Sequence, residues 1–208
     1  MIPEPRARGP CRTLRIAFPT VAREMEPEQT TGLTYEALRQ MPEDGLRREI
    51  IGGDLHVTAA PSTRHQDVVF GIEARLRRHA EAVGGRTFAG VGLLLSADEF
   101  PVPDVLFVGP QRVSQVEANF VRDAPDLVVE VSSPSTRRTD LVRKKGLYER
   151  FGVPEYWFVD LDADRLEVYR LEGGTYGQPM VVGRGRMLES PLLPGFSAPV
   201  DELLGEPQ

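Results

Sequence analysis

The residues of this 208-residue chain best placed to do chemistry are acidic. Glu130 stands in Leu127-Val128-Val129-Glu130-Val131, a run that is otherwise apolar. Such a run predicts a strand buried on both faces. An ionised carboxylate there is costly unless it is paired or binds a metal. An edge-facing Glu, or one paired with a nearby Arg, is the plain structural explanation. Asp104 follows Pro103 and opens a second apolar strand, Asp104 to Val108. Neighbouring strands of one sheet would bring the two carboxylates together. Close carboxylates repel each other and suit a hard cation that takes oxygen ligands. Lys144 falls on the helix expected after the Glu130 strand, one turn from both Asp140 and Tyr148. An ammonium beside a metal-bound phosphate can orient water or stabilise developing negative charge. Alone, Lys144 would read as a solvated helix lysine, like Lys145 beside it.

The elements that must position these groups are legible in the pattern. Residues 1–28 carry Pro3, Pro5, Pro10, Pro19 and Pro27 without hydrophobic periodicity, which predicts a disordered tail. Met25 is the expected start of the protein proper, with residues 29–208 as one domain. Thr34 can cap a short helix, Tyr35 to Met41, ended by Pro42. Arg48 to Ile51 and Asp54 to Val57 flank Gly52-Gly53, the pattern of a β-hairpin. Ser62 is a candidate N-cap for a helix over Thr63 to Val83. Its apolar stripe is Val68, Val69, Ile72, Leu76, Ala80 and Val83, and Gly84-Gly85 stop it. Strands are expected near Thr87–Phe88, Val91–Leu95, Asp104–Val108 and residues 126–131. A turn-rich loop, Ser132 to Thr136, leads to a helix from Asp140 to Phe151. Glu155–Asp160, Leu166–Leu171 and Thr175–Val182 complete the sheet as antiparallel hairpins. The fold class is α/β (α+β), a mixed sheet with helices packed on it.

Bulk properties narrow the function classes. The length can bury one sizeable core without disulfides, and Cys11 is the single cysteine. The formal charge is -6, although residues 1–24 are basic, so the rest of the chain is strongly acidic. That argues against broad, sequence-independent phosphate binding, but a local site or a bound metal sets its own field. No apolar run approaches the ~20 residues that span a bilayer. The longest N-terminal apolar stretch, Ile16-Ala17-Phe18, is too short for a secretory signal. A cytoplasmic protein without membrane attachment is expected.

Pro103-Asp104, the stretch Asp126-Leu-Val-Val-Glu130-Val-Ser-Ser-Pro-Ser-Thr136, and Asp140, Lys144 and Tyr148 at four-residue spacing together resemble the Uma-type restriction endonuclease family. Gly152-Val-Pro-Glu-Tyr-Trp-Phe-Val-Asp160 is similar as well. So are Glu49-Ile-Ile-Gly-Gly-Asp-Leu in the hairpin and Pro61-Ser-Thr-Arg-His65-Gln at the start of the long helix. The resemblance covers about residues 31–172. It implies the PD-(D/E)XK nuclease superfamily, with a restriction-endonuclease-like sheet and Mg²⁺-dependent phosphodiester hydrolysis (Mn²⁺ serving as an alternative ion). It further implies Asp104 and Glu130 as metal ligands; the Val131 carbonyl is the candidate for a third oxygen. The superfamily pattern places Lys two residues after the Glu, where this chain has Ser132. In the Uma-type family that Lys is moved to the following helix, which points to Lys144. Glu49 and His65 carry over as further pocket residues. The implied partner is nucleic acid, most simply DNA. A homodimer is expected, because a two-fold axis is the simplest way for a one-site domain to cut both strands of a duplex. The competing reading is a non-catalytic nucleic-acid-binding or dimerising module on a nuclease fold.

Overall fold

The computed structural model describes residues 32–58, 60–132 and 139–206. The expected tail and the Ser133–Thr136 part of the turn-rich loop lie outside these residues. The chain opens with α1 (Tyr35–Leu38), capped by the Thr34 hydroxyl, then the hairpin β1 (Arg47–Ile51) and β2 (Asp54–Thr58). Gly52 and Gly53 turn it with φ of 63° and 76°, a conformation that only glycine adopts without strain. Next comes α2 (Thr63–Val83). The Ser62 hydroxyl accepts from the His65 amide at its start, and left-handed Gly84 closes its end. These are the bounds that the hydrophobic stripe predicted. Every stripe residue except Val83 is buried.

The strands that follow are β3 (Arg86–Ala89), β4 (Gly92–Leu94), β5 (Val105–Val108), β6 (Phe120–Arg122) and β7 (Leu127–Val131). After β7, the segment Thr139–Lys144 is a π-helical turn that runs into α3 (Lys145–Arg150). The sequence pattern predicted one regular helix from Asp140. β8 (Glu155–Asp160) and β9 (Arg165–Glu172) follow. The Thr175–Val182 stretch divides into β10 (Thr175–Tyr176) and β11 (Met180–Gly183), both paired to β9. The chain closes with β12 (Met187–Glu189), β13 (Ser197–Pro199) and α4 (Val200–Leu204), which the sequence reading did not anticipate.

The main sheet runs β10-β9-β8-β7-β5-β3, with β11 also on β9. Its pairs are antiparallel except β7 with β8, the two strands linked through α3. The alternation of side chains gives the sheet two apolar faces. Val105, Phe107, Leu127, Val129, Val131, Trp157 and Val159 pack with the stripe of α2 and with α4. Leu106, Val108, Val128, Tyr156 and Phe158 face Leu147 and Tyr148 of α3. A small third cluster of Ile50, Phe100 and Val102 holds the hairpin to the body, and reciprocal amide–carbonyl bonds join Ile50 to Phe100.

Candidate active site

Register sets the geometry of the site. β5 and β7 pair Val105 with Val129, so one step further Asp104 stands opposite Glu130. Opposed residues of an antiparallel pair share a face. Here it is the face of Leu106 and Val128, covered by α3. The Asp104 carboxylate bonds to β7 directly, because its Oδ2 accepts from the Val131 amide at 2.8 Å.

Two further elements converge on this point. On α3 and the turn before it, Lys144 and Tyr148 are four residues apart and so share one side of the helix. Lys144 Nζ lies 3.1 Å from Glu130 Oε1 and 3.0 Å from Glu49 Oε2. The Tyr148 hydroxyl donates to Glu130 Oε1 at 2.7 Å. Burial, then the adjacent Glu130 charge and the bond to it, push the Tyr148 phenol well above its ordinary pKa. It therefore stays a donor. From the hairpin come Glu49 and Arg47, which share a face because they are two apart on one strand. Arg47 Nη1 donates to Asp104 Oδ1 at 3.0 Å, and its Nη2 donates to the Val102 carbonyl and lies 3.5 Å from Glu49 Oε1.

His65 enters from the first turn of α2. Its Nε2 is 3.4 Å from Asp104 Oδ1, and its buried Nδ1 has no partner among the described residues. Burial raises the Asp104 pKa, but the His65 hydrogen bond and the Arg47 charge outweigh it, and the carboxyl is held at about 2.

Glu49, His65, Asp104, Glu130 and Lys144 are thus gathered from five separate stretches of chain, and each is at most 7% exposed. Lys144 is not the solvated helix lysine that its neighbour suggested. Ser132 holds no position in the cluster, since its hydroxyl accepts from the Leu161 amide and ties β7 to the end of β8. The side chain of Asp140 lies outside the described residues. Sequence reasoning missed Arg47, although the two-residue period from Glu49 carried the signal. It named Tyr148 only for its spacing and not as a partner of Glu130.

The donor chemistry fits a hard divalent cation. Among the described residues, three carboxylates face two cations, Arg47 and Lys144, in a nearly dry site. Among the described residues no three His, Cys, Asp or Glu side chains close on one point. The candidate donors are therefore the facing pair Asp104 and Glu130, and Mg²⁺ takes few protein carboxylates.

Comparison with known proteins gives the same fold. The chain is similar to a crystal structure of a protein from Anabaena variabilis ATCC 29413, described as "a putative nuclease belonging to DUF820", with a TM-score of 0.70 and 18% identity. The match covers 83% of this chain and 97% of that one, which makes the sheet and its flanking helices a nuclease-like fold. No curated protein matches. Among the described residues no helix is long and apolar enough to cross a membrane. The model of the Uma2 family, described as "Putative restriction endonuclease", matches residues 35–201, and the chain belongs to that family.

Proposed function

We propose that the protein is a metal-dependent endonuclease that hydrolyses phosphodiester bonds in DNA, with its centre at Asp104, Glu130 and Lys144. The observation that carries this reading is the facing pair Asp104 and Glu130, with the Lys144 ammonium 3.1 Å from Glu130 and all three side chains buried. Among the described residues, Lys144 serves two carboxylates, and Arg47 bonds Asp104 and lies 3.5 Å from Glu49.

Asp104 and Glu130 would hold Mg²⁺ or Mn²⁺ with the Val131 carbonyl as a third oxygen. When bound, the ion lowers the pKa of a water ligand and neutralises charge developing on the phosphate. Lys144 orients the attacking water and supplies positive charge beside it. Glu49 holds Lys144 in place from the hairpin side. His65 fixes the plane of the Asp104 carboxylate. Tyr148 does the same for Glu130. A duplex has two strands, so a homodimer related by a two-fold axis is the simplest way for this one-site domain to cut both.

The test is cleavage of plasmid, single-stranded DNA and RNA with and without Mg²⁺, with Glu130→Ala as control. Calorimetric titration with Mn²⁺ accompanies it. Glu130→Gln should lose metal binding and cleavage while remaining folded. Lys144→Ala should keep metal binding and cut more slowly. Equal metal binding by wild type and Glu130→Gln would sink the assignment. Nucleic-acid binding without metal-dependent cutting would favour a non-catalytic binding module on this fold.

A further inference from the structure

Arg47 occupies an unusual place among the charged groups of the site. Its side chain is 31% exposed, whereas those of Asp104, Glu49 and Lys144 are 6%, 3% and 7% exposed. Of these four side chains, Arg47 is therefore the one with a substantial part in solvent. Asp104 has two oxygens to offer. Oδ2 accepts from the backbone amide of Val131 at 2.8 Å, which no side-chain movement withdraws, so Oδ1, faced by the side chains of Arg47 and His65, is the oxygen that can be freed for a cation. Arg47 Nη1 already bonds that oxygen at 3.0 Å. Meanwhile the Arg47 Nε is buried and has no partner among the described residues. A buried donor without an acceptor is a cost that a second arrangement of the side chain would relieve.

We propose that Arg47 is a phosphate ligand held in reserve on Asp104, released toward the nucleic acid when a divalent ion takes Asp104 Oδ1. This rests on the metal-dependent nuclease reading and adds to it a substrate-binding residue and an order of events. A divalent cation on Asp104 Oδ1 repels the guanidinium bonded to that oxygen at 3.0 Å. Lys144, in the same relation to Glu130, is buried and keeps Glu49 at 3.0 Å, whereas Arg47 has Glu49 only at 3.5 Å and a partly exposed side chain. The side chain is long and partly exposed, so the direction open to it is outward. There its planar fork matches two oxygens of a phosphate. Without metal, the fork is spent on Asp104 and the Val102 carbonyl, and the site grips phosphate poorly. With metal, the freed fork adds to the grip. Metal and nucleic acid then bind cooperatively, although they use different side chains.

The experiment compares wild type with Arg47→Met and Arg47→Lys, each first checked for folding by thermal melting. Mn²⁺ is titrated calorimetrically without nucleic acid. A duplex oligonucleotide is then titrated by fluorescence anisotropy, with Ca²⁺ as the ion and over a range of salt. Arg47→Met should bind Mn²⁺ about tenfold more tightly than wild type, because the competing cation is gone, a change of about 1.4 kcal/mol. The same variant should bind the duplex more weakly, with a salt slope shallower by about one released counterion. Arg47→Lys keeps the charge and loses the fork. Its duplex affinity should fall several-fold, and this result decides the matter if the Met variant does not fold. Unchanged or weaker Mn²⁺ binding in Arg47→Met, or wild-type duplex binding in either variant, overturns the proposal and leaves the nuclease reading standing. If wild type itself binds no Mn²⁺, both fall together.

Discussion

At the residue scale, Glu130 takes donors of different kind among the described residues, an ammonium and a phenol. The phenol is fully buried and makes a charge-assisted bond, so its removal leaves part of a buried charge uncompensated. Tyr148→Phe should therefore lower stability by about 1.5–3 kcal/mol with the fold intact. Chemical denaturation measures this, and a change below about 0.5 kcal/mol would mean that the phenol contributes little. Asp104 gives a pH prediction. Its carboxyl titrates at about 2 in the folded protein, below the ordinary value of 3.8. A depressed carboxylate stabilises the fold above the unfolded pKa, and that contribution is lost as pH falls from about 3.8 toward about 2. In EDTA, the melting temperature of wild type should drop across that window more steeply than that of Asp104→Asn. Parallel curves would assign the acid sensitivity to another group. Glu130 was readable as an oddity because a charge in an apolar strand demands a partner. Arg47 was hidden because an arginine near a glycine turn looks like surface until the fold brings Asp104 against it.

At the scale of elements, long and strongly periodic segments were legible. The 63–83 helix shows both its caps and its stripe, and the 155–160 strand is bounded as predicted. Short elements were not. β12, β13 and α4 span three to five residues each, too few for a period to show. The π-helical turn before α3 was also invisible, since its pattern of side chains is that of an ordinary helix start. One small element controls the hairpin that bears Arg47 and Glu49. A Cβ built on Gly92 of β4 would run into the Phe100 ring. That ring is pinned against Tyr35, with centroids 4.5 Å apart, and its backbone is bonded to Ile50. Gly92→Ala should cost about 1–3 kcal/mol through overpacking. Because Phe100 is the hairpin's attachment, the variant should also show faster amide exchange over residues 47–58 than over β7. Uniform loss across the two regions would mean that the hairpin and the sheet open as one unit.

At the scale of the whole molecule, the sheet brings together groups that are remote in sequence, and the hairpin with Arg47 and Glu49 closes one side of the site. A chain shortened by residues 1–24 should keep the melting temperature of the full protein, because the proline-rich segment has no periodic face to bury. A loss of several degrees would place part of that segment in the core. Sedimentation of the same shortened protein should give a dimer at micromolar concentration. A monomer would favour nicking or single-strand cutting over a double-strand break.

The bond from the Val131 amide to Asp104 Oδ2 has a practical consequence. At this step along β7 the proton of a backbone amide points to a carboxylate rather than to another peptide. Its nitrogen and proton resonances therefore depend on the charge state and occupancy of Asp104. In a heteronuclear spectrum this one cross-peak serves as a gauge of the centre. It can be watched during a titration with acid or a diamagnetic ion such as Mg²⁺, without substrate and without turnover.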